Sequence, residues 1–238
     1  MPVIAFANSK GGSGKTTSAL LIACELAEKT AVTIIDADPR HPVSKWATPK
    51  EGMTPPPRNL TVVRNAGEQT IIEEIEAAAA RDSFVIVDLE GSASKLNAYA
   101  ISQADLVVIP MKEQQQDAEA ALDTIREVVN VSKVRRAALP FSVLFTQTKP
   151  VAKSRTARFI ASQFRDNPRI DTFDTELNER DAFSAIYTMG GSVRMLDATQ
   201  TNGIDRAIEN ISGVVAELIA KLRTNSTSTK NDKKVRAA

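Results

Sequence analysis

Short apolar runs alternate along the chain with longer segments in which apolar residues recur every three or four positions. The runs end at polar or glycine residues, which is typical of buried parallel strands. The longer segments have the spacing of helices that turn one apolar face toward a sheet. This pattern predicts strands at residues 3–7, 31–35, 60–63, 84–87, 106–109 and 141–145, and helices at 16–29, 68–80, 117–129, 155–164 and 204–222.

The alternation predicts an α/β fold, a mostly parallel twisted sheet with right-handed crossovers and helices on both faces. Ligands of such sheets bind at the carboxyl ends of the strands. A glycine-rich turn follows the first predicted strand, and aspartates follow the second and the fourth. These residues fall at one edge of the sheet, where we expect the functional site.

Two stretches lack this pattern. Residues 39–59 contain six prolines, which predicts a long surface loop without regular structure over most of its length. Trp46 lies in this loop, and we expect it to pin the loop or to meet a partner. From residue 224 onward the chain is polar and of low complexity, which predicts a disordered basic tail after a single domain of residues 1–223.

Composition narrows the possible functions. The 238 residues are 42% hydrophobic and 25% charged, which suffices for a large core and excludes a wholly disordered chain. No apolar run is long enough to span a membrane, and the first residues lack the basic region of a signal peptide. Cys24 and His41 are the single cysteine and the single histidine, which excludes an internal disulfide and a Cys/His zinc site. We interpret Cys24 as a core residue and expect a cytoplasmic protein.

The net charge of +1 is unevenly distributed. From Lys221 to the end there are six basic residues and one acidic residue, so the rest of the chain is acidic overall. A basic tail suits a polyanion such as DNA or an acidic lipid surface. A solvated tail that keeps the chain soluble is an equally good interpretation.

The strongest chemical signal is the segment Lys10-Gly11-Gly12-Ser13-Gly14-Lys15-Thr16-Thr17, between a predicted strand and a predicted helix. In a phosphate-binding loop, glycines let backbone N–H groups turn inward, a lysine reaches the phosphates and a hydroxyl holds Mg²⁺. The run from Gly14 to Thr16 meets these needs, and the helix adds its positive dipole end. The usual spacing asks for glycine where this chain has Ser9, and a second lysine, Lys10, precedes the glycines.

This variant resembles the deviant P-loop of the ParA/MinD family of ATPases, and the resemblance covers most of the chain. Residues 34–39 resemble the second family motif, and residues 84–88 resemble the Walker B strand. Residues 107–110 are similar to the later strand that ends in proline. Residues 178–183, Asn-Glu-Arg-Asp-Ala-Phe, resemble a late arginine-containing segment. The resemblance implies a P-loop NTPase fold of the deviant Walker A type.

The family resemblance also implies ATP and Mg²⁺ as cofactors and assigns roles within the loop. Lys15 would neutralise the β- and γ-phosphates, Thr16 would ligate Mg²⁺, and Thr17 would contact the α-phosphate. Lys10 would cross the interface of an ATP-sandwiched homodimer and touch the phosphates of the partner subunit. The nucleotide-binding loop implied in this way consists of Lys10, Gly11, Gly12, Ser13, Gly14, Lys15, Thr16 and Thr17.

Three aspartates complete the implied site. By the same resemblance Asp38 would orient the attacking water, so that Lys10, Lys15 and Asp38 form the catalytic set. Asp36 and Asp88 would join Thr16 in the metal shell, Asp88 through water. Standing alone, each aspartate would be interpreted as a helix cap or a turn former. Beside the phosphate loop, the metal interpretation prevails.

The adenine pocket and the segment after Asp88 are less well defined. Gln147 and Asn178 occupy plausible places for an adenine pocket, and the sequence lacks the Asn-Lys-x-Asp motif that reads guanine. Many family members follow the Walker B aspartate with two prolines, which this chain lacks. Glu90 instead adds a carboxylate that could alter hydrolysis or dimer contacts. We favour a capping or surface role for Glu90.

Three functions remain open within the family. A plasmid or chromosome partition ATPase would bind non-specific DNA as an ATP dimer, associate with the nucleoid and be released by a ParB-like partner. Basic clusters at residues 133–136, 149–158 and 221–236 are candidate phosphate contacts. The phosphate loop begins so close to Met1 that we expect no helix-turn-helix ahead of it, as in short partition proteins.

The second function is a ParA-like ATPase that positions another cargo through an adaptor, such as a protein cluster or a conjugative DNA transfer complex. Residues 178–183 are also similar to ParA relatives associated with T-DNA transfer. The third, a MinD-like membrane ATPase, is disfavoured because the last residues carry no large apolar side chain except Val235. A nitrogenase-type reductase would need cysteines at the dimer axis. A dethiobiotin-type synthetase fits Lys10 and the basic tail less well.

Overall fold

The computed structural model describes residues 1–65, 67–92 and 94–236, with side chains described as far as residue 225. Within these residues the strands are β1 (Val3–Phe6), β2 (Val32–Ala37), β3 (Leu60–Arg64), β4 (Phe84–Leu89), β5 (Leu106–Met111), β6 (Phe141–Thr148) and β7 (Leu177–Asn178). The helices are α1 (Lys15–Ala27), α2 (Pro42–Trp46), α3 (Ile71–Arg81), α4 (Lys95–Gln103), α5 (Gln115–Arg135), α6 (Arg155–Arg165), α7 (Asp181–Met189) and α8 (Ile204–Arg236), and residues Val193–Met195 form a 3₁₀ turn.

The strands form one sheet in the order β3-β2-β4-β1-β5-β6-β7, and every pair of neighbours runs parallel. The predicted α/β fold with a parallel sheet is confirmed. In the registers of β4, Asp88 lies opposite Phe6 on one side and opposite Asp36 on the other. The carboxyl ends of β1, β2 and β4 therefore lie side by side.

Hydrophobic cores cover both faces of the sheet. Successive strand residues point to opposite faces, so Phe6 and Ile34 pack with α1, α7 and α8, whereas Ala5 and Ile35 pack with α3, α4, α5 and α6. Cys24 lies in the first core, as predicted, and its burial raises the pKa of the thiol. This thiol is a packing residue.

The proline-rich stretch is more ordered than the sequence predicts. It contains the short helix α2, with Pro42 at its first position, where a missing backbone N–H costs no hydrogen bond. Trp46 is buried, and its Nε1 donates to the Ile186 carbonyl at 3.1 Å. Trp46 therefore pins this segment onto α7, one of the two roles expected for it.

Three further helices differ from the sequence-based expectation. Helices α4 and α7 were not predicted, because each has nine residues, too few to establish a helical period. Helix α8 runs to Arg236, whereas the sequence predicts its end at residue 222 and a disordered tail from residue 224. Extending a formed helix costs far less than nucleating one, so a polar segment can continue the helix that precedes it. The division into a domain and a tail stays a prediction. Among the described residues, no helix has both the length and the apolar character needed to cross a membrane.

Candidate nucleotide site

The glycine loop between β1 and α1 has the backbone geometry that its sequence predicts. Gly12 and Gly14 have φ values of 78° and 94°, a region that favours glycine. Gly14 is also the N-cap of α1, and a Cβ atom added there would lie 3.1 Å from the hydroxyl oxygen of Thr146. No side chain caps this helix end. Its first N–H groups are therefore available to an anion.

Lys15 is the buried cation of the site. Its Nζ donates to the backbone carbonyl of Lys10 at 3.1 Å, and the residue is 7% exposed. Burial lowers the pKa of Lys15, and the charges of Asp88 and Asp38 act in the opposite direction. A Cβ atom added at Gly91 would lie 3.2 Å from this Nζ. The segment after β4 therefore lies close to the phosphate loop at Gly91, where the lack of a side chain leaves room for Lys15.

Asp36 and Asp88 form a buried carboxylate pair on neighbouring strands. They are register partners, and both are fully buried. Asp36 Oδ2 accepts a hydrogen bond of 2.7 Å from the backbone N–H of Ser44. Among the described residues, Asp36 Oδ1 has no hydrogen-bond partner, and the oxygens of Asp88 have none beyond the Thr16 hydroxyl that lowers the pKa of Asp88. Buried carboxylate oxygens without a donor are costly, so this pair indicates a place for a cation.

The electrostatics of Asp88 agree with that interpretation. Burial is the largest of the effects that raise the pKa of Asp88 to about 7, and the charges of Asp36 and Asp38 act in the same direction. The side chains of Thr16 and Lys15 act in the opposite direction. Asp88 is therefore buried where its charged form is unfavourable unless a positive charge lies nearby.

Asp38 combines a local role with a place in the site. Its Oδ1 accepts from the backbone N–H of Arg40 at 2.8 Å and from the Arg40 Nε at 3.4 Å. This is the turn-forming role that an isolated aspartate suggests. The residue is nevertheless buried, and its charge acts on both Lys15 and Asp88. Asp38 therefore belongs to the same electrostatic site.

Lys10 lies against its own chain. Its Nζ forms an ion pair with Asp117 of α5, and its backbone N–H donates to Asn8 Oδ1 at 2.8 Å. Asp117 is almost fully buried, whereas the Lys10 side chain is 31% exposed. In the single chain, α5 therefore anchors the lysine that the family resemblance places across a dimer interface.

The residues predicted for an adenine pocket lie at the ends of β6 and β7. Gln147 is exposed and has a φ of 52°. Asn178 donates from Nδ2 to Thr148 Oγ1 at 2.9 Å and accepts from Arg180 at 3.2 Å. Their neighbour Thr146 donates to the Ser13 carbonyl at 2.7 Å. The structure thus brings this strand end to the phosphate loop through Thr146.

Two site residues escaped the sequence analysis. Asp117 and Tyr187 touch the loop from positions more than 100 residues away, Tyr187 through a 3.2 Å contact with Thr17. Nothing local in the sequence marks these two residues. Ser94, rather than Glu90, caps α4 by accepting from the backbone N–H of Asn97 at 3.1 Å. The capping interpretation of Glu90 is therefore wrong.

The parallel sheet, the strand order and the glycine loop with its buried lysine and aspartates define a P-loop NTPase of the ParA/MinD fold. The family model described as "VirC1 protein" matches residues 1–224. Protein ParA of Rhizobium radiobacter is 34% identical over 223 residues, which are 93% of this chain and 98% of that protein. Protein virC1 of the same organism is 29% identical, and the match covers 93% of this chain and 99% of that protein. The chain belongs to the VirC1 family of ParA-type proteins.

Solved structures agree on the fold. McdA of Cyanothece, as a variant in complex with ATP, has a TM-score of 0.74 at 15% identity and covers 92% of this chain and 96% of its own. A plasmid partition protein of Borrelia burgdorferi bound to AMPPNP has a TM-score of 0.68 at 17% identity, and the match covers 92% of this chain and 99% of that protein. The MinD cell division protein of Aquifex aeolicus has a TM-score of 0.68 at 17% identity and covers 92% and 97%.

Proposed function

We propose that the protein is a Mg²⁺-dependent ATPase that dimerises around ATP, binds non-specific DNA as that dimer, and segregates plasmid or chromosomal DNA with a ParB-like partner. The observation that carries the proposal is the buried group of Lys15, Asp36 and Asp88 beneath a glycine loop. The 34% identity to a protein named ParA supports the partition role.

The residues of the site fit ATP and Mg²⁺. Mg²⁺ is usually held by one or two carboxylates together with substrate phosphates, and Asp36 and Asp88 offer carboxylate oxygens without donors. Thr16, in the first turn of α1, supplies the hydroxyl. The N–H groups of Gly11, Gly12, Ser13 and Gly14 would cradle the phosphates, and Gln147 and Asn178 would border the base. When bound, MgATP supplies the phosphoryl group and part of the positive charge that stabilises its transfer.

The site would promote ATP hydrolysis by orienting the attacking water and by stabilising charge at the phosphates. Phosphoryl transfer depends on orientation and electrostatic stabilisation more than on a strong base, so a carboxylate suffices to orient water. Asp38 would do this while its turn with Arg40 fixes its direction. Lys15 would neutralise charge at the phosphates, and Lys10 would add a second positive charge after leaving Asp117. Hydrolysis would then depend on dimerisation.

The ion pairs narrow the choice of DNA-binding surface. Lys153 is bonded to Glu113 at 2.6 Å and to Glu176 at 2.5 Å, and Lys221 is bonded to Asp171 at 2.8 Å. Both lysines are neutralised within the fold. Lys149, Arg155 and Arg158 are exposed, and none has an ion pair among the described residues. These three residues are the best candidates for sequence-independent contacts to DNA phosphates.

A second candidate function is positioning of another cargo by the same ATP-dependent DNA-binding cycle. The match to the VirC1 family model over residues 1–224 favours a cargo such as a conjugative DNA transfer complex. The maintenance of carboxysome distribution protein A of Halothiobacillus neapolitanus, 24% identical over 215 residues, is consistent with an adaptor-borne protein cargo. The genes beside this one would distinguish a ParB-like partner from a cargo adaptor.

The decisive experiment measures binding to a non-specific DNA duplex with no nucleotide, with ADP and with ATP. We expect binding only with ATP and none for Lys10→Ala. Nucleotide-independent binding, or no binding, would refute the DNA part of the proposal. Arg155→Ala/Arg158→Ala and a deletion of residues 224–238 then compare the two basic surfaces by the slope of affinity against salt.

Asp38→Ala tests the catalytic assignment separately. If Asp38 orients water, this variant should form the ATP dimer, bind DNA and fail to hydrolyse ATP. Size-exclusion chromatography with ATP reports dimer formation, and phosphate release reports hydrolysis. Loss of the dimer as well would assign Asp38 a folding or metal role instead.

A further inference from the structure

Arg40 is a cation at the rim of the candidate nucleotide site. It lies between β2 and α2, two residues after Asp38. Its side chain is 78% exposed, and its Nε donates to Asp38 Oδ1 at 3.4 Å. The two terminal nitrogens of the guanidinium, Nη1 and Nη2, have no hydrogen bond or ion pair within the part of the chain that the structure describes. Both nitrogens are therefore available to a ligand that lies beside the carboxylate of Asp38.

The backbone around Arg40 is held in place. The N–H of His41 donates to the Asp38 carbonyl at 2.8 Å, and the N–H of Arg40 donates to Asp38 Oδ1 at 2.8 Å. These bonds close a tight turn that has Pro39 as its second residue. His41 has a φ of 48°, which a residue other than glycine keeps only where its surroundings fix it. The turn thus fixes the backbone of Arg40 and leaves its guanidinium in solvent.

The charges of the site leave room for a further cation. Three aspartates of the site are buried, whereas Lys15 is its one buried cation among the described residues. Burial is the largest of the effects that lower the pKa of Lys15, and the charge of Arg40 acts in the same direction. Two cations that repel each other are both stabilised by an anion that binds between them. Phosphates bound at the glycine loop would supply that anion.

We propose that Arg40 binds the terminal phosphate of the ATP held by its own chain, through Nη1 and Nη2, while its Nε stays on Asp38. An attacking water oriented by Asp38 has to lie between that carboxylate and the phosphate, so a guanidinium bonded to Asp38 is within reach of the phosphate oxygens. The paired N–H groups of a guanidinium match phosphate oxygens in geometry and in charge. Because Nε keeps its contact, Asp38 does not lose its counter-charge.

This role deepens the proposed ATPase function and rests on it, since Asp38 is taken as the residue that orients water. It makes Arg40 the residue that distinguishes ATP from ADP, because ADP lacks the phosphate that Arg40 would bind. Lys15 would bind both nucleotides. The affinities for the two nucleotides therefore separate the roles of Arg40 and Lys15.

The experiment measures binding of ribose-labelled fluorescent ATP and ADP, in the presence of Mg²⁺, to the full chain. The protein is kept too dilute for an ATP-dependent dimer, as sedimentation velocity checks, so that only contacts within one chain contribute. We expect Arg40→Ala to weaken ATP binding by at least about tenfold and to leave ADP binding within about twofold. Circular dichroism confirms that each variant folds.

Two further variants separate a phosphate contact from a structural one. Arg40→Gln keeps much of the length of the side chain and can still donate to Asp38, but it has no charge for a phosphate. It should lose ATP affinity as Arg40→Ala does. Arg58→Ala is the matched control, because Arg58 is exposed and precedes β3 at the opposite edge of the sheet. It should bind both nucleotides as the wild type does.

Three results would overturn the proposal. The first is unchanged ATP binding by Arg40→Ala; if DNA binding were lost in that variant, Arg40 would belong to the DNA-binding surface instead. The second is an equal loss of ATP and ADP binding, and the third is normal ATP binding by Arg40→Gln. Either of these two would make Arg40 a structural partner of Asp38. A wild-type chain that binds neither nucleotide would refute the ATPase proposal together with this one, so the two failures are distinguishable.

Discussion

The two lysines of the phosphate loop lie five residues apart and have opposite surroundings. Lys15 is 7% exposed and lies in the field of Asp88 and Asp38. Lys10 has a side chain that is 31% exposed and is bonded to Asp117 on a helix at the other side of the loop. Lys15 is therefore part of a preformed site, whereas Lys10 is stored against a surface helix.

This difference suggests a division of labour. A cation held among buried carboxylates can act as soon as a ligand arrives, since its position is already fixed. A partly exposed cation can move to another partner, but its departure leaves the buried Asp117 without a counter-charge, and the new contact has to offset that cost. The comparison leads to four predictions, which range from complete loss of nucleotide binding to a moderate shift in dimerisation.

Lys15→Ala should cause the largest change. Removing the buried cation takes from Asp88 the positive charge that favours its ionised form and deprives the phosphates of their main positive contact. We expect affinity for MgATP to fall by at least about a hundredfold, since hydrogen bonds to charged groups contribute about 1.5–3 kcal/mol each and two phosphates lose their contact. Isothermal titration calorimetry measures the loss. Retained affinity would refute the assignment of the P-loop.

Lys10→Ala should separate dimerisation from nucleotide binding. Because the Lys10 side chain is paired with Asp117 of α5 in the single chain, its removal should leave the affinity of the monomer for MgATP within about threefold, a change of under about 1 kcal/mol. The ATP-dependent dimer should be lost. Sedimentation velocity with and without ATP measures this, and Lys112→Ala serves as a control. A normal dimer would show that Lys10 has no role across the interface.

How much of this site the sequence predicts depends on the distance between contacting residues. Gly12, Gly14 and Lys15 follow each other in the chain, and their roles can be inferred from local chemistry. Asp36 and Asp88 can be placed together because both end predicted strands of one parallel sheet. Asp117 and Tyr187 have no local signal, since their contacts with the loop depend on how distant elements pack.

The same reasoning applies to the fold. Buried strands such as β4 and β5 are continuous apolar runs, and the sequence predicts their first residues correctly and their ends two residues too early. Strand β7 has two residues, too few for any pattern. Helix α2 begins at Pro42 among prolines that suggest a loop, and the contact of Trp46 with α7 holds it in place. Tertiary contacts, rather than local preference, decide such short elements.

Asp88→Asn tests how strongly the buried surroundings of Lys15 depend on the charge of Asp88. The pKa of Asp88 is raised to about 7 by burial, so between about pH 4 and pH 7 the folded protein binds more protons than the unfolded chain. Its free energy of unfolding must therefore fall as the pH rises through this window and stay low above it. Asparagine carries no charge to bury.

We expect Asp88→Asn to raise the free energy of unfolding at pH 8 by up to about 4 kcal/mol, the equivalent of a pKa shift of about three units, and by much less at pH 4, in the absence of nucleotide and metal. Urea unfolding at the two pH values measures the difference. Asp123→Asn, at an exposed aspartate, should show no comparable pH dependence. A less stable Asp88→Asn protein at pH 8 would mean that Asp88 is compensated in the folded chain.

Asp117→Asn tests the storage of Lys10 and should have the smallest effect. Asparagine keeps the size of Asp117 and removes the charge that holds Lys10 on α5. The pair joins a partly exposed lysine to a buried aspartate, so the release of Lys10 should cost about 1–2 kcal/mol. Without that cost the ATP-dependent dimer should form at a protein concentration about fivefold to thirtyfold lower. Sedimentation equilibrium with ATP measures the shift, and Glu119→Gln on the same helix is the matched control. Weaker dimerisation of Asp117→Asn would show instead that Asp117 orients Lys10 toward the partner subunit, and that the ion pair belongs to the active dimer.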